Sequence, residues 1–223
     1  MNINDLSDGA VSFDHQESVP ASKGKKKRAV IICILVLLIV AAVIGGSYIY
    51  RYYLYNTYGK PFISSNKKLE FRNEDEYSKM YSYDDIDDKI SYTTTVGKFP
   101  DFKYCIVQAQ ALQGIIISPS GDPVSDHTLN CIYRLKTGEA PIYQVSLNEI
   151  VPANNGEDNY DIGINGIINL SPELNYQSSH ITSSDGSLLS DSQQLELYTK
   201  YKDEINELWI KLFAFFGEEH FKK

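Results

Sequence analysis

Read for the spacing of apolar and polar positions, the chain falls into three unlike stretches. Residues 1–28 are rich in Ser, Asp, Asn, Gln and Lys and carry too few apolar side chains to offset the entropy of ordering a chain, so they predict a disordered tail. From Ala29 to Tyr50 the sequence AVIICILVLLIVAAVIGGSYIY runs 22 residues without a charge. As a helix at about 1.5 Å per residue, this run reaches across the roughly 30 Å hydrocarbon layer of a bilayer, where a helix satisfies its own backbone hydrogen bonds. Gly59, Lys60 and Pro61 predict the end of this helix and of a juxtamembrane segment over 51–61, because glycine suits a C-cap and proline lacks the helical donor.

Residues 62–223 then read as one α+β domain. Period-two runs rich in β-branched residues predict strands at Ile90–Val96, Tyr104–Ile117, Leu129–Leu135, Ile142–Leu147 and Asp161–Leu170. Turn residues separate them: Ser118–Asp126 carries Pro, Gly and Asp, and Lys136–Pro141 is a compact hairpin connection, so an antiparallel meander is expected. The glycines of the Asp161–Leu170 run suggest a bulge or a close backbone approach. Glu70–Lys89, charged and rich in tyrosine, reads as a short helix.

The last element has the clearest signature. Ser190 followed by Gln193 forms a capping-box pair, and Gly217 stands where a C-cap glycine belongs. Between them Tyr198, Tyr201, Ile205, Leu208, Leu212 and Phe215 recur three and four apart and mark the buried stripe of an amphipathic helix. Glu196 with Lys200 and Glu207 with Lys211 are i,i+4 pairs for its exposed side.

Charge sets an expected topology. The tail holds five basic residues, Lys23 and Lys25–Arg28, against four acidic ones, whereas the chain beyond it carries a net −9. Basic residues cluster before the apolar run, which places the N-terminus in the cytoplasm and the C-terminus outside. An acidic outer domain disfavours nucleic acid as a partner. The run is too long for a cleaved signal peptide, and Tyr48 to Tyr58 supply an aromatic belt at its outer end. Ala41 with Gly45 and Ala42 with Gly46 form two small-xxx-small pairs, a possible homodimer seam within the bilayer.

Chemical motifs are weak. Ser64-x-x-Lys67, Lys136-Thr137-Gly138 and Ser184-Asp185-Gly186 are superficially similar to the serine β-lactamase signature, but the order along the chain is wrong and the last triplet lacks its Asn. His127 and Cys131, with Cys105 and His180, are too loosely spaced for a zinc site. Asp84, Asp85, Asp87 and Asp88 surround Ile86 without the glycine a calcium loop needs. No catalytic residue, cofactor site or metal site is therefore expected. The composition resembles that of bacterial cell-envelope proteins, and the expectation is a non-enzymatic interaction or assembly module. The alternative is a surface-tethered enzyme or sugar-binding domain using acidic residues such as Asp158, Asp161 or Asp185. Cys105 and Cys131 would lie in the oxidising compartment. A hairpin loop over 118–127 would place Cys131 opposite Gly114 on a strand continuous through that glycine. Cys105 would then lie about 30 Å away along the strand, so no bridge between the two is expected.

Overall fold

In a computed structural model, residues 23–102, 105–114, 126–152 and 160–222 are described. Residues up to Gly46 and residues Ser47–Lys223 form two compact units. The described part of the first is the body of α1 (Lys23–Leu54), the amino-terminal part of a helix long and apolar enough to cross a membrane. Its side chains are exposed all round, with Leu37 at 67%, Ile39 at 63% and Val43 at 66%.

The second unit begins on the last turns of α1. The helix does not stop at Gly59–Pro61: it passes through one π-helical turn, Tyr55–Gly59, into a short α2, Lys60–Ser64. The wider turn lets the Lys60 N–H bond back to the Tyr55 carbonyl, and Pro61 falls in the first turn of α2, where a missing donor costs little. Leu54 and Phe62 from this segment are buried in the core.

Eight strands follow in simple meander order, each antiparallel to the last. They are β1 (Glu70–Glu74), β2 (Ser78–Asp85), β3 (Ile90–Gly97), β4 (Val107–Gln113), β5 (His127–Leu135), β6 (Ile142–Pro152), β7 (Tyr160–Leu170) and β8 (Tyr176–Ser183). The long helix α3 (Asp191–Phe216) lies across one face. Alternation does the sorting: Tyr92 and Val96, Ala109 and Ala111, Cys131 and Tyr133, Val145 and Leu147, then Ile168 and Ile181, all point into the helix-covered face.

Glu70–Lys89 is a hairpin and not a helix. Asp75 closes its turn, its Oδ1 accepting from the Tyr77 and Ser78 amides at 2.7 and 2.6 Å, and β2 then pairs with β3 over eight residues. Ladder pairing to an already specified strand outweighs the weak local helix preference of this polar segment. Tyr81 and Tyr83, two residues apart, were its strand signal. In β7 the expected bulge is present, with Gly163 the residue skipped where the register to β6 shifts.

The β4–β5 register differs from the expected one. β4 ends at Gln113, and Gly114 takes φ +95 with its missing Cβ position only 2.4 Å from the His127 carbonyl, while residues 115–117 of the expected strand lie outside the described residues. Cys131 consequently faces Ala111. Cys105 lies outside the strand, its Sγ 3.2 Å from the carbonyl of Leu135, four residues beyond Cys131 and so about 13 Å along β5. Both thiols are free, and burial pushes both up from the ordinary cysteine range, which keeps them protonated and unreactive.

The capping box at Ser190 and Gln193 and the C-cap at Gly217 are formed. One buried residue of α3 is polar. Gln194, 3% exposed, accepts from the Ile181 N–H at 3.1 Å and donates to the Leu189 carbonyl at 2.7 Å, while the Leu189 N–H bonds the Ile181 carbonyl at 2.9 Å. Side chain and loop together satisfy part of the outer edge of β8. Replacing Gln194 with Leu strands one N–H and one carbonyl and is expected to cost about 1–3 kcal/mol for each group left unpaired. Urea unfolding of the Gln194→Leu protein reads this as a lowered midpoint, and an unchanged midpoint would show the bonds to be dispensable.

Candidate functional site

Polar side chains gather where α3 crosses the ends of β5 and β6. His127 opens β5, with Nδ1 2.8 Å from Asp126 Oδ1 and Nε2 2.9 Å from Glu204 Oε2 on α3. Its ring packs on that of Tyr201 at 4.6 Å between centroids. Carboxylates only accept, and neutral imidazole has one N–H, so one of these two contacts is a hydrogen bond until the ring is protonated. Beside it Glu149 on β6 accepts from the Tyr201 hydroxyl at 2.6 Å and from Lys200 Nζ at 2.8 Å.

The titration directions of these groups follow from their contacts. Burial pushes Glu149 up, but the hydrogen bonds from Lys200 and Tyr201 outweigh it and leave the carboxyl below the usual glutamate range. The Glu149 carboxylate raises Lys200, and burial with that same hydrogen bond pushes Tyr201 up to about 12. Each group is held further from neutral pH than it is in water. The cluster works as a clamp between α3 and the sheet.

The expected pair Glu196–Lys200 is replaced by this longer-range contact, whereas Glu207–Lys211 forms at 3.1 Å. Sequence reading missed Glu149, Tyr201 and Glu204 as polar partners, since Tyr201 read only as a core position and nothing local links residue 149 to residue 200.

The other motifs do not converge. Ser64 ends α2, Lys136–Gly138 lies in the β5–β6 turn, and Ser184–Gly186 lies in the turn after β8. Asp185 serves that turn: hydrogen bonds from Ser183 and Ser187 hold its carboxyl down to about 2. Asp158 lies outside the described residues, as does most of the acidic stretch 154–161, and Asp161 stands in β7. His127 and Cys131 lie on one face of β5 but meet different parts of α3, His127 at Glu204 and Cys131 Sγ 3.9 Å from the Ile205 carbonyl, and His180 is on exposed β8 surface. Among the described residues no group of three or more His, Cys, Asp or Glu is placed to hold a metal ion. Of the acidic turn, Asp84 pairs with Arg72 at 3.6 Å and Asp88 with Lys211 at 3.7 Å, leaving Ile86 at its tip 83% exposed. Ala41, Ala42 and Gly46 are exposed on α1, and no atom lies within 4 Å of where a Cβ would stand on Gly45 or Gly46.

A second cluster is aromatic. Tyr48, Tyr52 and Tyr55 of α1 and its π turn surround Phe99 in the β3–β4 connection, at 4.9, 5.5 and 5.9 Å between ring centroids. Arg51 Nη1 donates to the Pro100 carbonyl at 3.0 Å and lies 3.5 Å from Asp101. Gly97 makes the tight return possible, as a Cβ there would lie 2.2 Å from that of Phe102.

The sheet face away from α3 carries hydroxyls and amides. One row across it reads Ser82, Thr93, Gln110, Ile132, Gln144, Asn169 and Ser178. Gln144 donates to Asn169 at 2.8 Å, Asn169 to Ser178 at 3.0 Å, and Arg134 to Gln108 at 2.9 Å. Asn130 Oδ1 and Asn148 Oδ1, on the same face, and the Trp209 indole nitrogen in the core are buried without a hydrogen-bond partner.

No protein family, curated protein or solved structure matches this chain.

Glu149→Gln tests the clamp. Losing the charge from this partly buried acceptor is expected to cost about 1–3 kcal/mol near neutral pH. Because the Glu149 pKa is lowered on folding, its stabilisation is present above the unfolded-state value and is lost as pH falls through the folded one. The stability gap between the two proteins should therefore close on acidification. Denaturation midpoints compared at neutral and strongly acidic pH give the answer, and a gap that does not shrink would assign the effect to something other than the carboxylate.

Proposed function

We propose that this chain is a single-pass membrane-anchored protein, with its N-terminus in the cytoplasm and its C-terminal α+β domain outside, acting as a non-enzymatic interaction or assembly module of the cell envelope. One observation carries the anchor: a helix whose apolar side chains are exposed on every side, an arrangement that water penalises and hydrocarbon favours. The cluster Lys23 to Arg28 ahead of the run supports the orientation. The interaction reading is supported by the domain's polar groups, which pair with one another between α3 and the sheet, and by Asp185, whose carboxylate is taken up by its own turn.

A sugar-binding surface is the second reading, and one observation favours it. The hydroxyl and amide row from Ser82 to Ser178 presents donors and acceptors at strand spacing on a face that no described helix covers.

Topology is tested by adding protease to intact cells or spheroplasts producing the full chain with an N-terminal tag. Digestion is expected to remove residues beyond about 60 while the tag stays attached to the helix. Digestion of the tag with the domain protected would reverse the orientation, and a mature protein lacking the tag and residues 29–46 would replace the anchor by a cleaved signal.

A further inference from the structure

The aromatic cluster around Phe99 lies at a definite height. Tyr48 and Tyr50 close the uncharged run, and that run, 22 residues long, measures about 33 Å as a helix against about 30 Å of hydrocarbon. The end of the run therefore falls at the inner edge of a headgroup layer about 5–8 Å thick. Phe99 stands 4.9 Å from Tyr48, and the Pro100 carbonyl is held by Arg51, the first charged residue after the run. The β5–β6 turn reaches the same level on another side of the helix: Lys136 and Gly138 line a cavity of about 330 Å³ together with Tyr50 and Tyr58.

Strand order explains why these two loops share a height. In a meander, alternate turns fall at one end of the sheet, so the β3–β4 and β5–β6 connections lie together, and the Asp85–Ile90 turn lies at the other end. An eight-residue strand puts about 26 Å between the ends.

We infer that the loop Lys98–Phe102 and the turn Lys136–Pro141 are a second membrane contact, seated in the lipid headgroup layer beside the helix, so that the domain rests on the bilayer surface. This rests on the anchored reading above. The chemistry suits an interface: aromatic rings with polar tips in Tyr48, Tyr52 and Phe99's other neighbour Tyr55, an Arg51–Asp101 ion pair, and exposed Tyr50 and Tyr53 on the same turns. The occupant is the lipid of the same membrane, because the surface is continuous with the side chains that close the span.

The test uses the full chain reconstituted in phosphatidylcholine–phosphatidylglycerol vesicles. Phe99→Trp and Thr137→Trp place probes in the two loops, and Ile86→Trp places one at the opposite end. The native Trp209 is fully buried and its emission is subtracted with the unsubstituted protein. The loop probes are expected to emit at shorter wavelength than the Ile86→Trp probe, to lose emission when the acyl chains carry bromine near the glycerol, and to be shielded from iodide. The Ile86→Trp probe should be quenched by iodide and untouched by brominated lipid. Loop probes that respond to iodide as the Ile86→Trp probe does, in a protein that stays with the vesicles through an alkaline wash, would overturn the surface contact and leave the anchor standing. Release of the protein by that wash would overturn the anchor, and the contact with it.

Discussion

A helix of 26 residues is about 39 Å long, and eight strands side by side span about 34 Å, so one helix is enough to cross the whole sheet. α3 does this. It begins against β8, where Gln194 meets Ile181, passes over β5, where Cys131 faces Ile205, and ends against β3 and β2, where Phe215 stacks on Tyr92 at 4.0 Å and on Tyr83 at 5.7 Å. Every strand needs an apolar face only where this diagonal crosses it. The crossing therefore decides which residues are small. Ala109 and Ala111 on β4 give the helix room, while Tyr133 and Tyr143 fill the corner beside the diagonal with Trp209, Phe221 and Phe62.

α3 covers one face, and among the described residues no helix covers the other, whose rows are rich in hydroxyls and amides. The open sheet also has two edges to protect. β8 is blocked over part of its length by Gln194 and the segment reaching Leu189, whereas β1 relies on its short length and on Glu70, Arg72 and Glu74.

How much of this was legible in the sequence depended on whether the signal was local. The apolar run, the capping box, the stripe of α3 and the alternating strands β3, β5, β6 and β7 each announce themselves within a few residues, and each is found. The hairpin of β1 and β2 does not, because its residues are polar and its strand character comes from pairing with β3. β8 was missed for the same reason: of its eight residues only Ile181 is fully buried, so no alternation of apolar residues exists to be read. The helix stop at Gly59–Pro61 failed because a π turn can absorb a proline that an unbroken α-helix would not. The β4–β5 register failed on a single glycine whose positive φ cannot be inferred from neighbouring residues. The polar clamp could not be read at all, because Glu149, Lys200, Tyr201, His127 and Glu204 come together only when α3 lies across the sheet.

Meander topology gives the domain two chemically different ends. At the end away from the Ser47–Ser64 helix, the described turns and strand termini carry Asp84, Asp85, Asp87, Asp88, Asp126, Asp185 and Asp191 against Lys89, with Arg72 reaching Asp84 and Lys211 reaching Asp88 from neighbouring elements. At the other end Arg51, Lys79, Lys98, Lys136 and Lys222 stand among Glu74, Asp75, Glu76, Asp101, Glu139 and Glu173, several of them in direct ion pairs, so this end is nearly balanced. Cytoplasmic and envelope membranes rich in anionic lipid repel the first end and tolerate the second. In the proposed anchored topology the chain thus has an electrostatic reason, beyond its aromatic contacts, to keep the less acidic end of the sheet toward the bilayer. In that proposed topology the acidic end and the hydroxyl-rich face point away from the bilayer.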